Sequence, residues 1–549
     1  MIFSFDIFDT CLVRKCGEAK YVFDILAEKA FKHPCSSEHK RAFVAARMEA
    51  EKNTWSESQT LKEIYSAFDY SHVDILPKEK LMECEEEVER EMLCPVNSVV
   101  ERISFLRKQG HRILFISDMY LSYDFLLKVL QENGVWKAGD TLYVSSKIGA
   151  TKYTGELYKY IQKKENISFK KWYHYGDNEY SDVKIPSKFG IHAQHISHTY
   201  TPYQLKMREI PSLYYQWSGM LAGISRSISL QSKRFAHKDF VLDIIAPLYA
   251  SFVCRILEDA CNKGIKSLYF CARDAYPLYR IALKMQSIFP SLTISYLYIS
   301  RKSLYEGNDH NKIGYFKQIG LASNSAKTAI VDVRSSGKTL QILNELMIQN
   351  GYNSVFGYFF ELCHQTVEQL NGLEYYVELD DLYVKNLSHS LRKLPSNWYM
   401  YELFFPLNVQ KRTIGYEYRD EEYKPVLEAE DNKEYRFDNL QEWAEWRNWA
   451  LERFTTDFLQ LKLFMHNDDI FRLYALPQLA EFFTYPHKHY LEAIADFYGK
   501  HPDKGYIPYV DNSILRLPIN IIKHCTMWKR GTIFYALPTW VTKRLYKNK

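Results

Sequence analysis

The stretch FDIFDT, residues 5–10, decides the fold of this chain more than any other. The residues from Ile2 to Phe5 form a short apolar run that is typical of a buried strand, and the run ends in Asp6, with Asp9 and Thr10 close behind. A carboxylate at the tip of a buried strand, with no lysine or arginine beside it, is costly to keep and is usually retained for chemistry or metal binding. The alternative for Asp6 is an N-capping residue that starts a helix.

Composition limits the kinds of protein this can be. A chain of 549 residues is too long for one hydrophobic core, so we expect about two to four domains. The net charge of only +5 over this length does not favour a nucleic-acid binder. The ten cysteines lack paired CxxC spacing, which favours a reducing cytoplasm. We expect no signal peptide before the first strand and no apolar run long enough to span a bilayer.

Residues 1–200 are expected to form an α/β domain, because runs of strand type alternate with helical patterns. An amphipathic stretch at about 18–108 is helical by pattern and follows the first strand. The later strand-type runs lie at 111–117, 141–145, 172–176 and 191–196. This alternation predicts a parallel sheet with helices on both faces.

The rest of the chain divides into three parts. Residues 201–238 lack a clear period and carry prolines and serines, which predicts a linker. Residues 239–400 again alternate between helix and strand, which predicts a second α/β domain. From 401 to 549 the chain becomes aromatic, and we expect it to be mainly helical with a basic tail.

Polar segments follow the predicted strands of the first domain. They are Asp6 with Asp9 and Thr10, Ser117 with Asp118, Lys152, and the string GDNEYSD, which contains Asp177 and Asp182. Ligands of open α/β sheets bind where the strands end, so these segments are expected to meet. The residue types suit phosphoryl chemistry: a carboxylate that attacks phosphorus, carboxylates that hold Mg²⁺, and a hydroxyl and a lysine that bind phosphate oxygens.

This order and spacing resembles the haloacid dehalogenase superfamily of phosphohydrolases, whose domains are Rossmann-like. The resemblance implies that the helical stretch at 18–108 is an inserted cap that closes the site. It also implies a role for each motif: Asp6 as the nucleophile, Ser117 and Lys152 as catalytic phosphate-binding residues, and Asp6, Asp177, Asp182 and the Phe8 carbonyl as magnesium ligands.

Phe8 is a departure from that family. Its phosphatases usually carry a second aspartate two residues after the nucleophile, and that aspartate acts as general acid and base. The Phe8 carbonyl can still bind metal, but its side chain cannot carry a proton, so Asp9 or water is left to protonate the leaving group. For Asp182, a structural role in orienting Lys152 or Asp177 is the alternative.

The string TAIVDVRSSGKTLQIL, residues 328–343, is the strongest signal in the middle of the chain. An apolar strand runs into Asp332, and a polar turn at 335–339 then opens a helix, which predicts an anion site on backbone N–H groups and hydroxyls. The earlier glycine of a Walker loop is absent, which argues against a nucleoside triphosphate. A serine-capped corner is the alternative. The turn consists of Ser335, Ser336, Gly337, Lys338 and Thr339.

This pattern resembles the phosphoribosyl pyrophosphate loop of type I phosphoribosyltransferases. The resemblance implies that Asp332 positions the ribose and that the turn binds the 5-phosphate, although Val331 replaces the first of the family's two acids. Other cations and acids follow the neighbouring strands and imply a pyrophosphate site. These residues are Arg273 and Asp274 after the run SLYFCA at 267–272, and Arg301 and Lys302 after the run that ends at Ser300.

A phosphatase joined to a phosphoribosyl-transferring domain resembles bacterial polysaccharide ribofuranosyltransferases. The implied function lies in O-antigen or capsule synthesis: transfer of 5-phosphoribose from phosphoribosyl pyrophosphate to a glycan, giving a β-ribofuranoside, then removal of the 5-phosphate through Asp6. The segment YELFFPLNVQKRTIGYEY, residues 401–418, also looks similar to these proteins. Asp274 or Glu402 is the candidate base for transfer.

The tail from 517 to 549 has no acidic residue and mixes cations with aromatic rings. This pattern suits an anionic bilayer and predicts a cytoplasmic protein that contacts the inner membrane peripherally, where a lipid-linked glycan acceptor lies. A packed basic helix and stacking on nucleic acid are the alternatives for the tail. Two other functions stay open: a phosphatase whose second domain only binds phosphoribosyl pyrophosphate, and a non-catalytic scaffold, which Phe8 and Val331 favour.

Overall fold

The chain forms two compact units, Met1–Lys233 and Arg234–Lys549. The computed structural model describes residues 1–33, 35–70, 74–198, 200–209, 217–232, 238–362, 373–377, 411–428 and 440–461, with isolated residues beyond. The predictions for Glu402 and for almost all of the basic tail fall outside the described residues.

The first unit is built on a five-stranded parallel sheet in the order β5-β4-β1-β6-β7, with β1 in the centre. Side chains along β1 and its neighbour β4 alternate between two hydrophobic cores, so both faces of the sheet are buried. The prediction of a parallel α/β domain is therefore confirmed. The strands are β1 Ile2–Asp6, β4 Arg112–Ser117, β5 Thr141–Val144, β6 Trp172–Gly176 and β7 His192–His195.

An insertion follows β1, as the sequence predicts. Two short strands, β2 Leu12–Arg14 and β3 Leu93–Pro95, pair antiparallel and enclose it. Its helices are α1 Ala19–Ala30, α2 Ser37–Asn53, α3 Leu61–Ala67 and α4 Lys78–Met92. The next helix, α5 Asn97–Lys108, comes after β3 and leads into β4, so the helical insertion ends before the predicted boundary at 108.

Shorter helices connect the remaining strands of the first unit. They are α6 Tyr123–Glu132, α7 Ser145–Ile148, α8 Glu156–Glu165, a 3₁₀ turn Phe169–Lys171, a π-helical turn Glu179–Lys184 and α9 Ile185–Phe189.

The stretch predicted to be a linker instead carries two helices, α10 Pro202–Glu209 and α11 Trp217–Gln231. Apolar side chains of α11 are buried, and its backbone lies directly against the chain at Gly17. A Cβ added to Gly223 would overlap the Gly17 backbone, so only a residue without a side chain fits there. This close packing makes α11 part of the first unit.

The second unit has its own five-stranded parallel sheet, in the order β12-β11-β10-β8-β9. The strands are β8 Ile265–Cys271, β9 Thr293–Leu297, β10 Lys327–Ser335, β11 Phe356–Leu362 and β12 Tyr375–Val377. Because the chain passes from β8 to β9 on one side and then to β10 on the other, the strand order reverses at β8. A crevice forms at such a reversal, beyond the carboxyl ends of the strands.

The second unit begins with a long apolar helical run. It comprises α12 Lys238–Phe240, a π-helical turn Val241–Ile245 and α13 Ala246–Asn262. This run is long and apolar enough to cross a membrane, contrary to the sequence-based expectation, but 94% of its apolar window is buried inside the protein. That burial is the mark of a core helix.

The later helices of the second unit are α14 Tyr276–Met285, α15 Arg301–Tyr305, α16 Asp309–Gln318, α17 Lys338–Gln349 and α18 Leu440–Gln460. The region predicted to be mainly helical also contains a β-hairpin, made of β13 Thr413–Arg419 and β14 Glu422–Leu427. The strand-type alternation of TIGYEYR is the sequence signal for this hairpin.

Candidate functional site

Three carboxylates meet at the carboxyl end of the central strand of the first sheet. Asp6 ends β1, and Asp177 and Asp182 follow β6. One oxygen from each lies within 4.8 Å of the others. The Thr10 hydroxyl donates to Asp177 at 3.3 Å, which ties the first motif to the fourth. The structure thus brings together the three acids predicted to be magnesium ligands, and the Phe8 carbonyl stays a prediction.

Lys152 reaches into this cluster from the loop before α8. Its Nζ contacts Asp6 Oδ1 directly and lies 2.7 Å from Asp182 Oδ1. Burial disfavours the charged form of the lysine, but the two carboxylates outweigh burial and raise the pKa of Lys152 well above its usual value. Lys152 is therefore a fixed cation at the floor of the site.

The environment of Asp6 is different from that of Asp182. Burial raises the pKa of Asp6 well above its ordinary value; Lys152 opposes this shift, and the carboxylates of Asp182 and Asp177 add to it. For Asp182, burial would also raise the pKa, but the Lys152 ammonium and a hydrogen bond from His174 hold the pKa of Asp182 well below its usual range. The charged form of Asp182 is thus stabilised by its neighbours. The charged form of Asp6 is disfavoured, so a bound cation would stabilise it most.

A buried hydrogen-bond chain behind the cluster orients Asp182. The Trp172 indole donates to Ser4 Oγ at 2.7 Å, and Ser4 Oγ lies 2.7 Å from His174 Nδ1. Because the Asp182 carboxylate can only accept, we place the ring proton on His174 Nε2, which donates to Asp182 at 3.2 Å. His174 Nδ1 then accepts a hydrogen bond from the Ser4 hydroxyl. Burial lowers the pKa of His174, which keeps its ring neutral.

The predicted structural role of Asp182 is visible in this geometry. Its Oδ1 contacts Lys152 and His174, and its Oδ2 accepts from the Asn178 backbone at 3.1 Å. A Cβ added to Gly176 would overlap the Asp182 side chain, so the glycine of the GDNEYSD string is required for this packing. Asp182 therefore positions Lys152 in addition to lying among the possible metal ligands.

The second motif contributes two neighbouring residues with different tasks. Ser117 ends β4 and is 1% exposed at the same sheet edge. Asp118, to which the sequence motif assigns no role, accepts hydrogen bonds from the backbone N–H groups of Lys152 at 2.8 Å and Tyr153 at 3.2 Å. Asp118 thus holds the loop that carries Lys152.

Asp9, the proposed substitute for the missing acid, has an unusual backbone with φ of +52° and is 38% exposed. Its carboxylate faces two arginines, Arg14 at 3.9 Å and Arg226 at 3.6 Å. Phe8 lies under the Arg14 guanidinium, 4.7 Å from the ring centre. The side chain of Phe8 is therefore engaged in packing, whereas Asp9 remains a predicted proton donor.

Buried ion pairs join the helical insertion to the residues around the site. On α4, Glu85 accepts from Arg47 of α2 and from the hydroxyl of Tyr120, which lies in the loop after β4. One turn later, Glu89 pairs with Arg14 at 2.6 Å. Since Arg14 also faces Asp9, the insertion and the first motif share one charge network.

The cluster fits a magnesium ion. The donors are hard carboxylate oxygens, which Mg²⁺ prefers. Three carboxylates and one lysine carry a formal charge of −3 + 1 = −2, which a divalent cation balances. Burial is the main cause of the raised pKa of Asp6, and the nearby carboxylates of Asp182 and Asp177 add to it. Asp6, Asp177 and Asp182 are the residues that would hold the ion.

A second site lies in the other unit, at the reversal of its strand order. The cavity has a volume of about 490 Å³ and is lined by the ends of β8, β9 and β10 and the start of α17. The predicted residues that line it are Arg273, Asp274, Arg301, Asp332, Ser335, Ser336 and Thr339. The turn that the sequence predicts to bind phosphate therefore opens onto a cavity of ligand size.

Some predicted residues of this site do not line the cavity. Lys302 and Lys338 are not among its lining residues, and Lys338 is exposed. Gly337 contributes through its backbone: its φ is +74°, and its N–H donates to Ser335 Oγ at 3.1 Å as α17 begins. Its role is to shape the turn.

Two acids, Asp332 and Asp274, line the cavity. Burial raises the pKa of Asp332 to about 7, and the neighbouring Asp274 carboxylate adds to the shift. Burial also raises the pKa of Asp274, while Arg273 opposes that shift. Perturbed acids in a cavity are typical of functional sites.

No protein-family model matches the chain, and no curated protein matches it in sequence. Solved structures do match in part. A HAD phosphatase from Thermococcus onnurineus is 18% identical, with 36% of this chain and 86% of that chain covered and a TM-score of 0.27. The HAD-hydrolase YfnB from Bacillus subtilis, bound to magnesium, is 15% identical over 37% of this chain and 88% of its own, with a TM-score of 0.28.

The L-2-haloacid dehalogenase from Xanthobacter autotrophicus is 11% identical over 40% of this chain and 86% of its own, with a TM-score of 0.29. Identities and scores this low say nothing about the substrate or activity of this chain. The function has to follow from its own residues.

Proposed function

We propose that the first unit is a magnesium-dependent phosphohydrolase of the haloacid dehalogenase type that uses Asp6 as its nucleophile. One observation carries this proposal: Asp6 is buried at the tip of the central strand, in contact with Lys152 and within 4.8 Å of Asp177 and Asp182. A buried carboxylate can approach an anionic phosphate where positive charge offsets the repulsion, and Lys152 with a metal held by the acids would supply that charge.

The reaction has two steps. An Asp6 oxygen attacks the phosphorus, the ester P–O bond breaks, and the alcohol leaves with a proton from Asp9 or from solvent. Water then attacks the phosphorus of the aspartyl phosphate, releasing inorganic phosphate and restoring the Asp6 carboxylate. Lys152 and Ser117 bind the phosphate oxygens, while Asp118 holds the lysine loop. A bound Mg²⁺ would screen the repulsion between the carboxylate and the phosphate.

Removal of metal tests this function. Full-length protein treated with EDTA is expected to lose hydrolysis of ribose 5-phosphate and p-nitrophenyl phosphate by about 100-fold or more, and Mg²⁺ should restore it. The phosphate released is measured in each case. Activity that survives complete metal removal would contradict the proposed role of the three carboxylates.

We further propose that the second unit transfers 5-phosphoribose from phosphoribosyl pyrophosphate to a glycan acceptor. The cavity at the strand reversal favours this second function, because its hydroxyls and acids are those that a sugar phosphate needs. An acceptor hydroxyl attacks the anomeric carbon and gives its proton to a base, for which Asp274 and Glu402 are the candidates. The bond to pyrophosphate breaks, and the first unit then removes the 5-phosphate. A cytoplasmic protein at the inner membrane, acting on a lipid-linked glycan for O-antigen or capsule, is part of this proposal.

Product analysis with the Asp6→Asn variant tests the two-step function. Wild type with phosphoribosyl pyrophosphate and a synthetic acceptor is expected to give a ribosylated glycan, and Asp6→Asn a glycan that retains the 5-phosphate. Mass spectrometry distinguishes the two products. If neither protein modifies the acceptor while both bind phosphoribosyl pyrophosphate, the second unit only binds that ligand.

A further inference from the structure

Arg412 is a cavity residue that the sequence motifs do not include. It lines the cavity of the second unit together with Arg273 and Arg301, although it lies more than a hundred residues after them in the chain. Arg412 immediately precedes β13, so the β-hairpin delivers it to the cavity. The neighbouring Thr413 also lines the cavity.

The hairpin is firmly fixed to the sheet that carries the cavity. Ser300 donates to the Thr413 carbonyl at 2.6 Å, and the Tyr416 hydroxyl donates to the Tyr298 carbonyl at 2.8 Å. The Tyr416 ring stacks on Tyr315 of α16 at 4.7 Å. These contacts hold Arg412 at the cavity before any ligand arrives.

The three arginines of the cavity carry more positive charge than its two acids can balance. Within the part of the chain that the structure describes, no carboxylate lies within ion-pair distance of Arg273, Arg301 or Arg412. Asp274 and Asp332 line the same cavity and offset part of this charge, but three arginines and two acids leave a formal charge of +3 − 2 = +1, which a ligand anion would balance. The guanidinium group is the side chain best suited to bind phosphate oxygens in pairs.

The cavity is lined by two kinds of phosphate-binding group. One is the turn of Ser335, Ser336 and Thr339 at the start of α17, and the other is the set of three arginines after β8, after β9 and before β13. A ligand with a phosphate at each end would use both. The hairpin contributes to only one of them.

We propose that Arg412 binds the pyrophosphate group of the donor, as a third arginine that the hairpin adds to Arg273 and Arg301. This inference rests on the proposed transferase function and assigns the hairpin a part in donor binding. The turn at α17 then binds the 5-phosphate, so the two ends of the donor are recognised by different segments. Arg412 should therefore affect pyrophosphate and leave a lone sugar phosphate unaffected.

Titration calorimetry of the full chain tests the assignment, with Mg²⁺-pyrophosphate and ribose 5-phosphate as separate probes. Arg412→Ala is expected to weaken pyrophosphate binding about tenfold or more and to leave ribose 5-phosphate within about twofold. Arg412→Lys should recover part of the loss, because it keeps the charge but not the paired donors. The backbone carbonyl of Arg412 accepts from Glu428, so the hairpin closes without the side chain.

The matched control is Arg419→Ala, on the same hairpin but 71% exposed and away from the cavity. Equal pyrophosphate affinity in Arg412→Ala and Arg419→Ala would overturn the assignment while leaving the transferase function standing. A loss of ribose 5-phosphate binding alone would also overturn it. Failure of the wild type to bind either probe would overturn the transferase function itself, and the assignment with it.

Discussion

Asp6→Asn is expected to lower kcat for phosphate-ester hydrolysis by about 10⁴-fold or more, because it removes the nucleophile. An amide oxygen attacks phosphorus poorly, and the amide cannot carry the charge that balances Lys152 and a metal ion. The variant should still fold, since Lys152 keeps its 2.7 Å contact with Asp182. Initial rates at saturating substrate and Mg²⁺ measure the effect.

Asp24→Asn is the matched control for this experiment. Asp24 is another shielded carboxylate of the first unit, on α1, and burial raises its pKa to about 7. It lies outside the cluster of Asp6, Asp177 and Asp182. Its substitution should leave kcat within about twofold. Comparable activity in Asp6→Asn and Asp24→Asn would mean that the nucleophile lies elsewhere.

Glu85→Ala is expected to destabilise the helical insertion by about 3–5 kcal/mol, because buried Arg47 loses its buried, two-oxygen partner and keeps only the half-exposed Glu51 carboxylate at 2.9 Å. Arg47 is fully buried and donates to both oxygens of Glu85, at 2.8 and 2.6 Å. Tyr65 and Tyr120 donate to the same carboxylate. Thermal unfolding of the full chain should show the change as a drop of roughly 10 °C.

Glu83→Gln supplies the comparison on the same helix. Glu83 pairs with Lys80, but both side chains are more than 60% exposed, so its loss should change stability by less than about 0.5 kcal/mol. Hydrogen exchange of α2 and α4 should locate the Glu85→Ala effect in the insertion. The double variant Arg47→Met/Glu85→Leu should recover most of the loss. Equal stability of Glu85→Ala and Glu83→Gln would contradict the role of the buried pair.

The sequence predicted the strands and the polar segments that follow them, because both leave local signals. Apolar runs such as HRILFIS mark buried strands, and Asp6, Lys152 and Asp177 stand just beyond such runs or in the loops between them. Parallel strands end at the same edge of a sheet, so the topology alone predicts that these segments lie close together. The turn at 335–339 also left a local signal, because it stands between an apolar strand and a helix, but the cavity that it lines did not.

Local sequence patterns do not reveal contacts between segments that are distant in the chain. Ser4 and His174 lie 170 residues apart in the chain, and nothing in their own neighbourhoods marks the hydrogen bond that orients Asp182. The burial of α11 depends on the close approach of Gly223 to Gly17, which a stretch with prolines and serines does not reveal. Arg412 likewise reaches its cavity only because the hairpin packs on α16.

The central claim is that Asp6 carries the phosphoryl group during hydrolysis. Rapid acid quench of the full-length protein during turnover, followed by peptide mass spectrometry, tests it directly. We predict one phosphoryl group on the peptide that contains Asp6, absent from Asp6→Asn and absent when Mg²⁺ is withheld. A phosphoryl group on another residue, or steady turnover by Asp6→Asn, would contradict this account.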